Sequence, residues 1–151
     1  MGKITDVSKN KDGRVIITTE TLAFDVPNAN GHLYPKDVIE KALEEYQYKI
    51  DKGQSTGGLF IDNNFQDSRH NIKNTSHLIE SMEVGEENVY AKIKVLNTPR
   101  GKDLLALLES NDDRISIGSS YLIDADVKDN VVKEGAKLIS IDFVMSQNVG
   151  E

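Results

Sequence analysis

The residues 77–96 constrain the fold more than any other part of the chain. Across 88–96 the apolar Val89, Ala91, Ile93 and Val95 alternate with Tyr90, Lys92 and Lys94. Successive side chains of a strand point to opposite faces, so this period of two puts the apolar set on one buried face and the lysines in water. A second extended run, 77–84, precedes it across a short link at 85–87, which reads as a hairpin. Antiparallel sheet with one wet face needs a covering layer on the other.

Further runs extend the pattern. Residues 14–20 are β-branched and alternating, 22–26 continue in the same style, and 59–61 is a short apolar run after Gly57 and Gly58. Three more extended runs occupy 114–123, 125–132 and 137–144. Two segments instead carry a helical period. In 35–52, Val38, Ile39, Ala42, Leu43, Tyr46 and Ile50 recur at three- and four-residue spacing, with Pro35 placed as the first helical residue and Gly53 as a stop. Thr98 and Pro99 open a second helix that ends near 110–111 and is predicted to turn Leu104, Leu105, Leu107 and Leu108 inward. The stretch 62–75 is polar without an apolar period and reads as a long exposed loop. Many strands with two helices predict an α+β domain on a closed or nearly closed antiparallel sheet. At 151 residues, one domain over 1–151 is expected.

Composition removes several function classes. The chain is 38% hydrophobic and 28% charged, as in ordinary globular proteins. No apolar run approaches the roughly 18 to 20 residues of a membrane span. Residues 1–13 are polar and lack the apolar core of a signal peptide, so residence in a cytoplasm is expected. Without Cys there is no disulfide framework, thiolate zinc site or cysteine nucleophile. The net charge of −7, with basic residues scattered among acids, argues against a nucleic-acid surface, whose affinity needs clustered Lys and Arg. No cofactor or metal is expected: Asp62, Asp67, His70 and His77 lack zinc-ligand spacing, and Gly57-Gly58 lacks the Lys-Ser/Thr of a phosphate-binding loop.

Five segments in order resemble the prohead (head maturation) proteases of tailed phages, particularly the T-even type, which are related in fold to the herpesvirus assembly proteases. They are PNANGHLYPKDVIEKAL, NIKNTSHLIESMEV, KVLNTPRGKDLLALLES, RISIGSS and LISIDFV, spanning about residues 22–144. The resemblance implies a small antiparallel β-barrel with flanking helices. It also implies a serine peptidase that cleaves scaffold and capsid proteins, acting in the host cytoplasm inside the prohead.

Such chemistry needs a serine nucleophile, a base for its proton and donors for the oxyanion. The resemblance places the serine on the run Ile115-Ser116-Ile117-Gly118. If both isoleucines face the core, alternation turns Ser116 outward, and Ser119 is the alternative nucleophile in another register. Family members carry Gly-Glu-Leu-Asp-His after the first helix, whereas this chain reads Gly58-Leu59-Phe60-Ile61-Asp62-Asn63-Asn64. The expected His thus falls on Asn63 or Asn64, and an amide accepts no proton near neutral pH, which forfeits roughly 100- to 10,000-fold in rate. His77, within the Asn-x-Ser-His-type block, and His70 are the substitute bases, with a structural or solvated role as the alternative for each; His32 stands where the family has Arg. The deficient dyad favours a member that has kept the fold and lost the chemistry. Such a member is expected to serve as a structural or interaction component of the virion, in capsid, neck or tail, with phage structural proteins as partners and room for self-association. An active enzyme using Ser116 is the alternative.

Overall fold

The computed structural model describes residues 2–61, 73–110 and 112–147. The elements run β1 (Ile4–Lys9), β2 (Val15–Ala23), α1 (Lys36–Asp51), β3 (Thr56–Ile61), β4 (Thr75–Val84), β5 (Asn88–Val95), α2 (Pro99–Glu109), β6 (Ile115–Asp124), β7 (Val127–Lys128), β8 (Val131–Val132) and β9 (Lys137–Gln147). Seven strands form one sheet in the order β1-β2-β5-β4-β3-β9-β6, and β7 and β8 form a separate small ribbon. The sheet curls into a half-barrel, and a single bridge between Gly2 and Ser119 joins its two edges. Backbone bonds of 2.7 Å from Gly2 N–H to the Ser119 carbonyl and 3.0 Å in the reverse direction make that seam.

The mixed α+β class is as read from the sequence, but the sheet is not wholly antiparallel. Leu59, Phe60 and Ile61 of β3 pair in parallel with Phe143, Val144 and Met145 of β9, while the other ladders are antiparallel. β9, late in the sequence, therefore lies inside the sheet between β3 and β6.

The inner face carries the core. Ile17, Leu59, Ile79, Ala91, Ile93, Val95, Ile141 and Phe143 gather there, and the helices complete it with Tyr46 from α1 and Leu104 from α2. Burying side chains of this size contributes about 1.5 to 3 kcal/mol each. The β5 alternation appears as expected, with Val89, Ala91, Ile93 and Val95 all buried. Pro35 is the N-cap of α1 rather than its first helical residue, and Gly53 follows the helix with a positive φ of 68°, which suits a residue without a Cβ. Thr98 caps α2, its Oγ1 accepting from the Gly101 N–H at 3.0 Å. Of the four leucines of α2, only Leu104 is fully buried, while Leu105, Leu107 and Leu108 pack against the core edge. β1 is an edge strand that the periodicity did not signal. Most of the loop read at 62–75 lies outside the described residues.

Candidate functional site

β6 sorts its serines by strand alternation. Ile117, Tyr121 and Ile123 pack against the core, so the odd-numbered positions face inward. Ser119 shares that face: it is 1% exposed, its Oγ lies 2.8 Å from Thr19 Oγ1, and it donates to the Glu20 carbonyl at 3.1 Å. Its hydroxyl thus helps to close the seam between β2 and β6.

Ser116, Gly118 and Ser120 turn to the outer face. Their direct partners across the ladder are Ser146, Val144 and Asp142 of β9. Ser116 and Ser120 are both half-buried, which leaves their hydroxyls in reach of solvent. Ser120 was not selected as a nucleophile from the sequence, yet it stands opposite the one carboxylate of this strand pair's centre.

Asp142 is 4% exposed in the middle of the sheet. A carboxylate so placed is costly unless donors hold it. One oxygen, Oδ1, accepts from the Gly58 N–H of β3 at 2.9 Å, and Oδ2 accepts from the Ser140 hydroxyl at 2.9 Å. β9 has β3 on one side and β6 on the other, and the Asp142 carboxylate reaches across to β3, the strand that leads towards Asn63 and Asn64. The Tyr46 phenol of α1 is pushed up to about 12, first by burial and then by the negative charge of Asp142 and by Tyr48. The sequence signal for Asp142 is an acid inside the apolar run Ile141-Asp142-Phe143-Val144.

The histidines fall elsewhere. His77 is fully buried on the inner face, packed edge-on against Phe143 with ring centroids 4.9 Å apart. Its Nε2 lies 2.8 Å from the Ile141 carbonyl and its Nδ1 2.6 Å from Ser76 Oγ. A carbonyl can only accept, so Nε2 carries the proton and Nδ1 accepts from the Ser76 hydroxyl. Gly57 makes room for this arrangement, since a methyl there would overlap both His77 Nε2 and the Ile141 oxygen. Ser116 and His77 therefore occupy opposite faces of the sheet, and the structure does not bring them together. His32 sits in the loop after β2, where its backbone N–H and that of Asn30 each donate at 2.9 Å to Asn28 Oδ1. Asn28 Nδ2 in turn reaches the Tyr121 hydroxyl at 3.3 Å and ties this loop to β6. His70, Asn63, Asn64, Asp62 and Asp67 lie outside the described residues. Among the described residues, no group of three or more His, Cys, Asp or Glu could hold a metal ion.

A family model described as prohead core protein serine protease matches residues 5–147. Among solved structures, the chain is similar to the capsid assembly protease of bacteriophage T4, with a TM-score of 0.72 and 24% identity over 94% of this chain and 90% of that one. This second likeness bears on the fold. No curated protein matches the sequence.

Proposed function

Because the chain belongs to the family of prohead core protein serine proteases, we propose that it is a serine peptidase of phage prohead assembly. Its substrates on this reading are scaffold and capsid proteins, cut inside the prohead in the host cytoplasm by one domain spanning residues 1–151. One observation carries the proposal: β6 turns the half-buried Ser116 and Ser120 to a single face, alongside the buried carboxylate of Asp142. A hydroxyl on a rigid strand is held at a fixed angle to an incoming carbonyl, which nucleophilic attack requires. Of the serine candidates, Ser116 and Ser120 fit that role through their outward position, and Ser119 fits a structural one.

The test is cleavage of the phage's own scaffold and capsid precursors by the purified protein, with labelling by a fluorophosphonate that reacts with activated serines. Cleavage together with labelling on β6 is the expected result. Neither activity from a folded protein, beside a sister protease that processes the same precursors, would remove the enzyme reading.

A second reading, a protease fold retained as a structural component of the virion, has its own support. The ring nitrogens of His77 are committed to Ser76 and Ile141. The resemblance also puts Asn63 or Asn64 where family members carry the catalytic His. On this reading the protein is found uncut and in stoichiometric amount in mature particles, bound to capsid, neck or tail proteins, whereas an enzyme is present in few copies.

A further inference from the structure

The surface where α1 meets β4 lies apart from the serine strand, since β3 and β9 stand between β4 and β6 in the sheet. A groove of about 360 Å³ runs there, lined by Glu40, Leu43, Glu44 and Gln47 of α1 and by Met82 and Val84 of β4. Spacings of three and four residues put the helical set on one face, and at 1.5 Å per residue it extends for about 10 Å, or two turns. The floor of the groove is apolar. Leu43 and Met82 are half-buried, and Val84 is 37% exposed. Val38, Ile39, Ala42 and Tyr46 are the buried stripe that holds α1 to the core, so Leu43 flanks that stripe and is free to serve a second contact. The rim is acidic. Glu40 and Glu44 are exposed on α1, and Glu86 and Glu87 are exposed in the turn just after Val84. None of the four has an ion-pair partner among the described residues. Gln47 donates to Asp51 at 3.0 Å and neutralises neither helical glutamate. Glu40 and Glu44 stand one turn apart, a spacing at which like charges weaken a helix. The helix dipole does not account for them, because its effect fades beyond the first turn, where α1 carries Asp37.

We propose that this groove docks a basic amphipathic helix of a partner protein, with apolar side chains on Leu43, Met82 and Val84 and Lys or Arg side chains against Glu40 and Glu44. The charge of the rim selects the occupant. A second copy of this chain has a net charge of −7 and brings the same acidic rim, so like charge opposes it. A cationic segment instead relieves the repulsion between Glu40 and Glu44. An apolar seat two turns long suits the i, i+3 or i+4 and i+7 side chains of a helix laid into it. A contact of that length covers less than the roughly 800 Å² per partner of a stable complex, so the docking is transient and sensitive to salt. The rim also steers a basic partner during encounter. The groove captures a partner whether or not the chain cleaves peptides, and the proposal is independent of the peptidase reading.

The experiment is fluorescence anisotropy of the full chain with a fluorescein-labelled synthetic peptide of about 14 residues, Leu at every third or fourth position and Lys elsewhere. A scrambled peptide of the same composition is the control for charge alone. The patterned peptide is expected to bind at least about 10-fold more tightly than the scrambled one, and to weaken as salt is raised past the point where exposed charges are screened. Glu40→Gln with Glu44→Gln should weaken binding by about 3- to 10-fold, and Val84→Ser, which removes apolar surface from the floor, by about 3- to 5-fold. No binding of the patterned peptide, equal binding of the scrambled one, or an affinity unchanged in the double glutamine variant would each overturn the proposal. Sedimentation is run beside it: a dimer of the unmodified chain that Val84→Ser disperses would assign the groove to a second copy and overturn the proposal as well. Should Val84→Ser fail to fold, the glutamine variant decides, since both of its changes are on the exposed face of α1.

Discussion

Replacement of His77 by Ala separates a structural imidazole from a catalytic one. The ring fills an interior position with no exposure, lies against Phe143 and serves both the Ser76 hydroxyl and the Ile141 carbonyl. Its loss leaves a cavity beside Phe143 and two buried polar groups without their partner, each of the latter worth about 1 to 3 kcal/mol when unsatisfied. Water entering the cavity recovers part of this, so the expected cost is about 3 to 5 kcal/mol, a large share of the roughly 5 to 15 kcal/mol that holds a domain together. At an m-value of about 2 kcal/mol per M, the urea midpoint falls by about 1.5 to 2.5 M. The assay is equilibrium unfolding followed by circular dichroism, with cleavage measured below the transition. His77→Gln, whose amide N–H can reach the Ile141 oxygen, should recover part of the loss. An unchanged midpoint with abolished cleavage would refute the reasoning, because it would mean that the ring acts in chemistry and not in packing.

Three further predictions follow from the same framework. Gly57→Ala forces a methyl against the His77 ring and the Ile141 carbonyl and is expected to cost about 2 to 4 kcal/mol, read as a lowered urea midpoint. Thr98→Ala removes the cap of α2 and the bond from Thr98 Oγ1 to the Thr75 carbonyl at 2.5 Å, for a loss of about 1 to 2 kcal/mol in thermal or urea unfolding. Tyr46 has a folded pKa raised to about 12 from an ordinary value of 10.0, so its contribution to stability is present below pH 10 and is lost as pH rises towards 12. Ultraviolet titration of the native protein against a Tyr46→Phe variant should show that late ionisation, with unfolding eased over the same interval.

The local parts of the fold were legible because their signals are local. A helical period with Pro35 before it and Gly53 after it reads as α1, and the apolar alternation of β5 needs only neighbouring residues. β1 gave no comparable signal, since it buries little and takes its order from pairing with β2. The parallel pairing of β3 with β9 was also unreadable, because it joins segments some eighty residues apart and depends on where the sheet closes. In the site, the alternation Ile115-Ser116-Ile117 did indicate an outward Ser116. The same logic, carried two residues further, separates inward Ser119 from outward Ser120. That Ser120 is in register with Asp142 is a matter of pairing between strands, which no single segment contains. His77 reads equally well as a base or as core, and only its partners decide.

The insertion of β9 between β3 and β6 has a kinetic consequence. Until residues 137–147 have been synthesised, β6 has no ladder on the β9 side, and β3 lacks its parallel neighbour. Contacts of such large sequence separation must overcome loop-closure entropy before they contribute stability, which makes this pairing a slow, late step of folding. The pairing of Ser120 with Asp142 is one rung of that same ladder. A nascent chain on the ribosome therefore has the serine strand without the apposed carboxylate, and the pair assembles only when the sheet is filled from its middle.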